Sequence, residues 1–150
     1  MADYFFDSSA LVKAYIAETG TTWVRTILDD PQHRISISAL AEVEVISALT
    51  RRFSQGDLTQ VEFDDACDEL RQDCATYLVI EITDRILDAA VDNARNYSLR
   101  AYDAVQLASA KSALSTMQGN PVDFTLVSAD QALNDAARQD RLQVEDPNFH

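Results

Sequence analysis

Proline and glycine are scarce in this chain, three of each among 150 residues. So few turn-forming and helix-breaking residues leave little room for a loop-dominated or linker-like architecture, and most of the chain is expected to be helix and strand. Cysteine is limited to Cys67 and Cys74, both within one apparent helix. At that spacing they share a face but stand about two turns apart, so they read as buried thiols rather than a disulfide. With only two histidines and no CxxC pair, a zinc site is not expected.

Long apolar runs are missing as well. No segment approaches the roughly 20 apolar residues that a membrane helix needs. The opening MADYFFDSSALVKAYIAE carries Asp3 and Asp7 where a secretory leader would be uninterrupted and apolar, so a cytoplasmic location with no membrane attachment is expected. Basic residues are the other deficit: 12 Lys and Arg against 25 Asp and Glu give a formal charge of −13. That argues against a broad basic surface for nucleic acid, which normally draws on Lys and Arg. It leaves room for a local site where a divalent cation supplies the positive charge. A basic protein partner would suit such an exterior, and so would simple solubility.

What is present is the balance of an ordinary globular protein, and the length suits a single domain over residues 1–150. Tyr4–Phe6 reads as a strand ending at Asp7, with Ser8 or Ser9 opening a helix over LVKAYIAE. A helix over Thr22–Leu28 follows, closed by Asp29-Asp30-Pro31, then a strand RISIS at 34–38 and a helix from Ala39 to about Phe53. Thr59 and Glu62 have capping-box spacing ahead of Phe63, Ala66, Cys67, Leu70 and Cys74, which recur at helical period. Tyr77–Ile82 reads as a strand, followed by a helix carrying Leu87, Ala90, Val91 and Ala94, and by an Ala-rich helix from Ala101 to Thr116 closed by Gly119-Asn120-Pro121. Phe124–Val127 is a strand, Asp130–Arg138 a helix, and LQVED an edge strand. Strands separated by crossover helices imply an α/β fold, a three-layer α/β/α sandwich around a mainly parallel sheet. Such sheets bind ligands at the carboxyl ends of their strands.

Four acids fall where that end should be. Asp7 follows a strand, and is either a helix cap or a metal ligand. Glu44 lies in SALAEVEVISAL, a segment apolar enough to be largely buried; there it needs a partner or a metal, whereas a solvent-facing Glu needs neither. Glu42 competes with it, but two positions apart the pair cannot face one point equally. Asp103 sits in the first turn of the Ala-rich helix, where the helix dipole alone explains it. Asp130 follows a strand, and Ser128-Ala129-Asp130-Gln131 has capping-box spacing that would leave it as a first-turn acid. Gathered at one point, the four would repel one another, and Mg²⁺ or Mn²⁺ would relieve that repulsion. The ion would also activate water and assist departure of the 3′ oxygen of a phosphodiester. Arg51, Arg52 and Arg100 are candidates for a local phosphate-binding patch, with a solvated helix face the alternative for the first two. Lys13 is read as surface charge, Tyr102 as core or interface, and Trp23 as packing for the second helix.

The motifs resemble those of PIN-domain ribonucleases, particularly the VapC-type toxins of bacterial toxin–antitoxin pairs. YFFDSSALVKAY resembles the family's first motif with Asp7 and Ser9; SALAEVEVISALTRR selects Glu44 over Glu42; LRAYDAVQLASA supplies Asp103, and LVSADQAL supplies Ser128 and Asp130. The resemblance implies a PIN-like fold and a Mg²⁺- or Mn²⁺-dependent endoribonuclease that acts on RNA, forms a homodimer and is inhibited by a cognate antitoxin. It makes Asp7, Glu44 and Asp103 the leading metal ligands and catalytic acids and Asp130 the fourth, with Ser9 and Ser128 as auxiliary groups. Two other readings stay open: a DNA-directed nuclease of related fold, and a non-catalytic binding module that keeps the metal pocket. A phosphatase of the haloacid-dehalogenase class fits less well, because it expects a second Asp where Ser9 stands. A response-regulator receiver also fits poorly, since Asp3 with Asp7 does not resemble its acidic pair.

Overall fold

The structure, a computed structural model, describes residues 1–118 and 120–150. Its centre is β1 (Asp3–Phe6), which pairs in parallel with β2 (Arg34–Ser38) on one side and β4 (Phe124–Val127) on the other. β3 (Leu78–Ile80) extends the sheet beyond β2 and β5 (Gln143–Glu145) beyond β4, giving the order β3-β2-β1-β4-β5 with every pairing parallel. Parallel neighbours cannot be joined by tight hairpins, so each connection carries helix. α1 (Ser8–Leu11) and α2 (Thr21–Leu28) link β1 to β2, and α3 (Ala41–Ser54) and α4 (Gln60–Cys74) link β2 to β3. α5 (Asp84–Tyr97) and α6 (Ala101–Thr116) link β3 to β4, and α7 (Gln131–Gln139) links β4 to β5.

The alternation of strand side chains divides the core into two layers. Phe6, Ile35, Ile37 and Val127 pack with Leu11, Val24, Val45, Leu49 and Leu70 on the side of α1 to α4. Phe5, Phe124 and Leu126 pack with Ile86, Leu107, Ala110 and Leu133 on the side of α5 to α7. Each fully buried Leu or Phe contributes about 1.5–3 kcal/mol. The small residues of α6, among them Ala104, Ala108, Ala110 and Ala113, are buried, and this helix contacts β2, whose Ser36 and Ser38 are also fully buried. The expected capping box forms, with the Thr59 hydroxyl accepting from the Glu62 amide and the Glu62 carboxylate from the Thr59 amide.

Several expectations are corrected. The opening helix keeps α-geometry only to Leu11 and tightens into a 3₁₀ turn at Val12–Ala14. Lys13 is not surface charge: it is 6% exposed, donating to the Thr19 carbonyl at 2.9 Å and pairing with Glu18 at 3.3 Å, so its charge is matched where it is buried. Tyr102 is 63% exposed, because the first turn of α6 stands clear of the core and burial begins at Ala104. The segment around Glu44 is less buried than its composition suggests, with Val43 on the outer face of α3. Cys67 and Cys74 are free thiols, as expected, but only half-buried. Trp23 stacks on His150 with ring centroids 4.0 Å apart, and the 3₁₀ turn Pro147–Phe149 seats beside α2 against Gly20, which has φ +88°. Gly119 lies outside the described residues. Among the described residues, no helix is long and apolar enough to cross a membrane.

The chain leaves β1 toward β2 and β3, then returns to the opposite side of β1 as β4. The direction of winding therefore reverses between β1 and β4, and a crevice forms outside their carboxyl ends, where sheets of this kind bind ligands.

Candidate active site

Asp7 ends β1 with its amide bonded to the Val127 carbonyl of β4 at 3.0 Å. Its carboxylate caps α1, accepting from the Ser9 amide at 3.3 Å and from the Ser9 hydroxyl. It also accepts from Ser128 Oγ at 3.2 Å. Capping is thus a true role of Asp7, yet the residue is only 4% exposed, deeper than a cap requires.

The two serines lace the ends of β1 and β4 together. Ser9 Oγ accepts from the Ala129 amide at 3.0 Å, and Ser128 Oγ accepts from the Asp130 amide at 3.1 Å. Asp130 is itself the cap of α7, accepting from the Leu133 amide at 2.8 Å, so the helix starts two residues later than the spacing from Ser128 suggested and Asp130 is not a first-turn acid. Asn134, buried one turn into α7, donates to the Ser128 carbonyl at 2.9 Å and fixes the same corner.

Glu44 lies in the first turn of α3, half-buried, and accepts from Gln106 Nε2 at 2.9 Å. Gln106 is completely buried in α6 and also donates to Ser8 Oγ at 3.1 Å. Asp103 precedes Gln106 by one turn in the first turn of α6. Glu42 points elsewhere and pairs with Arg71 at 3.5 Å, which settles the competition on α3 by orientation.

Electrostatics ties the four acids into one neighbourhood. Burial pushes the Asp7 carboxyl above its ordinary range, against the pull of its bonds to Ser9, Ser128 and the Ser8 amide. Burial likewise raises Glu44, the neighbouring Asp7 charge adds to the rise, and Ser8 and Gln106 oppose it. Asp103 is pushed up to about 6 by burial and then by the charges of Asp130, Asp7 and Glu44, with Arg100 working in the other direction. Among the described residues, none of the four acids has a Lys, Arg or His within salt-bridge distance. The hydrogen bonds to Ser9, Ser128 and Gln106 offset part of this crowding, and a cation would offset the rest.

The donor set, all carboxylate and hydroxyl oxygen, suits a hard divalent cation. As the side chains stand, no three His, Cys, Asp or Glu among the described residues converge to metal-ligand distance. The acids are therefore grouped at Coulombic range, and closing on an ion requires side-chain rotation. Two hollows of the surface, about 500 Å³ beside β3 and about 710 Å³ around His33, are lined by none of the four acids.

The candidate arginines divide. Arg100 is the N-cap residue of α6, exposed, with its charge reaching Asp103. Arg51 and Arg52 lie about two turns beyond Glu44; Arg51 bonds to Ser47, and Arg52 is engaged by Glu18 at 3.2 Å and Asp57 at 3.8 Å. Sequence reasoning missed Ser8, Gln106 and Asn134. The available signal for Gln106 was a long polar residue one turn after Asp103 in an otherwise small and apolar helix.

Residues 4–139 match the PIN domain family. The chain belongs to that family. It is 37% identical over 106 residues to ribonuclease VapC45 of Mycobacterium tuberculosis (strain CDC 1551 / Oshkosh), across 71% of this chain and 73% of the relative. The same identity and coverage hold for ribonuclease VapC49 of strain ATCC 25618 / H37Rv. PIN-like architecture is seen also in PAE2754 from Pyrobaculum aerophilum, with a TM-score of 0.63 at 20% identity over 99% of this chain and 91% of that one. VapBC2 from Rickettsia felis, solved bound to a DNA fragment from its promoter, superposes with a TM-score of 0.61 at 11% identity, covering 96% and 98% of the two chains.

Proposed function

We propose that this PIN-domain protein is a divalent-metal-dependent endoribonuclease and the toxin of a VapBC-type toxin–antitoxin pair. The observation that carries the chemistry is the gathering of Asp7, Glu44, Asp103 and Asp130 from four separate elements within Coulombic range, with none of them ion-paired among the described residues. The naming of relatives at 37% identity as VapC ribonucleases supports RNA as the substrate.

In this reading Asp7, Glu44 and Asp103 hold Mg²⁺ or Mn²⁺, and Asp130 is the fourth acid. When bound, the cation supplies the positive charge that neutralises the acids and polarises the phosphodiester. Ser9 and Ser128 hold the Asp7 carboxylate in one direction while it waits for that charge. Asp103, half-protonated near pH 6 without the cation, gives up that proton on binding. Arg100, free of an acidic partner at salt-bridge distance, is placed to meet a substrate phosphate beside the acids.

The partners of this reading are a second copy of the chain, as a homodimer, and an antitoxin. Several similar folds were solved as toxin–antitoxin complexes, among them those from Rickettsia felis and Haemophilus influenzae. The test is induction in a bacterial host. Wild type should arrest growth and generate new RNA ends, whereas Asp7→Asn should do neither; arrest that persists with Asp7→Asn would contradict the reading.

A further inference from the structure

We infer that Gln106 is a positioning residue of this site: it locks the Glu44 carboxylate into one direction before a cation arrives. The inference rests on the metal-binding reading above and goes beyond its four acids.

Gln106 has no solvent exposure, and its side chain bridges three elements that are distant in sequence. Its Nε2 donates to Ser8 Oγ in α1 at 3.1 Å and to Glu44 Oε1 in α3 at 2.9 Å, so both hydrogens of the amide are committed. Its Oε1 is buried without a partner. Turning the amide over would set that oxygen against the Glu44 carboxylate, acceptor against acceptor. The orientation with an orphaned oxygen is the one that serves Glu44 as an ionised acceptor.

Fold stability alone does not ask for glutamine here. The side of α6 that Gln106 shares carries Asp103, the fully buried Ser109 and Ala110, and an unbranched apolar side chain would fill the volume of Gln106 without burying an unsatisfied acceptor. What the glutamine adds is control of a long, half-buried glutamate whose torsions would otherwise have to be ordered during binding. Ser8 completes the clamp, since its Oγ accepts the other hydrogen of the Gln106 amide and fixes the plane in which that amide faces Glu44. Partners that orient a metal-ligating carboxylate typically alter metal affinity when removed, even though they never touch the ion.

A double-mutant cycle on Mn²⁺ affinity, read by calorimetry on the full chain, tests this. Gln106→Met keeps the length of the side chain and removes both donors. It should weaken Mn²⁺ binding by roughly 10-fold, leave the melting temperature near that of wild type, and have no further effect in a Glu44→Gln background. An equal loss of affinity in both backgrounds would mean that Gln106 acts through the fold and not through Glu44, and would overturn the inference. Unchanged affinity in Gln106→Met, with Glu44→Gln still weakening the ion, would overturn it while leaving the proposed function standing. If neither substitution affects Mn²⁺, the metal-binding reading itself fails and the inference with it. Should Gln106→Met not fold, Gln106→Asn carries the same cycle, because it keeps the amide but withdraws it by one methylene.

Discussion

Ser128 Oγ stands 3.2 Å from Asp7 Oδ2, and the two residues are 121 positions apart. The bond ties the ends of β1 and β4 together at the point where the winding of the sheet reverses. It holds a carboxylate that is buried, unpaired by any Lys, Arg or His among the described residues, and within Coulombic reach of Glu44 and Asp103.

Asp7 should trade stability for function. Asp7→Asn keeps the size of the side chain and removes the buried charge, so the metal-free variant should melt at or above the wild-type temperature, within about 0.5–2 kcal/mol of added stability. Its kcat/KM on RNA should fall by roughly 100-fold or more, the scale of losing one element of transition-state charge stabilisation. Paired thermal melts and cleavage kinetics check this, and a variant that loses stability and activity together would argue for a purely structural Asp7.

The pH dependence has a defined sign. Asp103 is raised in the fold from 3.8 to about 6, so between those values the folded protein binds more protons than the unfolded chain. Its contribution to stability is therefore full below about pH 4 and is lost as pH rises through about 6. Denaturant titrations of metal-free wild type and Asp103→Asn across that window should show the difference shrinking toward acid. Mn²⁺ affinity of the wild type should rise over the same interval, since the ion must displace the proton.

Arg100 and Arg52 should behave differently toward RNA. Arg52 is occupied by Glu18 and Asp57, whereas Arg100 has no acidic partner at salt-bridge distance among the described residues. Arg100→Ala should weaken binding of single-stranded RNA uniformly across sequences and flatten the salt dependence by roughly 0.7 in logarithmic slope. Arg52→Ala should leave that slope unchanged. Binding isotherms at several salt concentrations distinguish the two.

Gly20 is a test of the fold away from the acids. At φ +88° a side chain is strained, and a Cβ there would overlap the Pro147 carbonyl. Gly20→Ala should destabilise the protein by more than about 1 kcal/mol and expose Trp23, which His150 covers by stacking. Tryptophan fluorescence during unfolding reads both effects, while Mn²⁺ affinity should be retained.

Much of the architecture was legible in the residues themselves. RISIS and FTLV are short β-rich runs between polar turns, and both form strands at the positions expected of them. The boundaries of the Ala-rich helix, residues 101–116, also match. Less legible was anything decided by a change in the path of the backbone. Lys13 is buried because Glu18 and the Thr19 carbonyl receive it, whereas the continuous helix expected over LVKAYIAE would have kept Glu18 off the face of Lys13. Tyr102 is exposed because the first turn of α6 stands clear of the core, which composition alone does not reveal. At the site, the acids stood out through their motifs, but each had an equally good local explanation as a cap or first-turn charge. Asp7 and Asp130 do cap helices, so the local explanation was correct without being complete. Gln106 escaped notice because the helix around it reads as uniform packing.

The central claim is tested most directly by cleavage of a mixed pool of structured and single-stranded RNAs by the purified protein with Mn²⁺ or Mg²⁺, set beside Asp7→Asn and beside wild type in EDTA. The account predicts discrete cuts with wild type and metal that vanish in both other arms. Cuts that survive EDTA or Asp7→Asn, or no cuts at all from a protein that binds Mn²⁺ and is free of antitoxin, would contradict it.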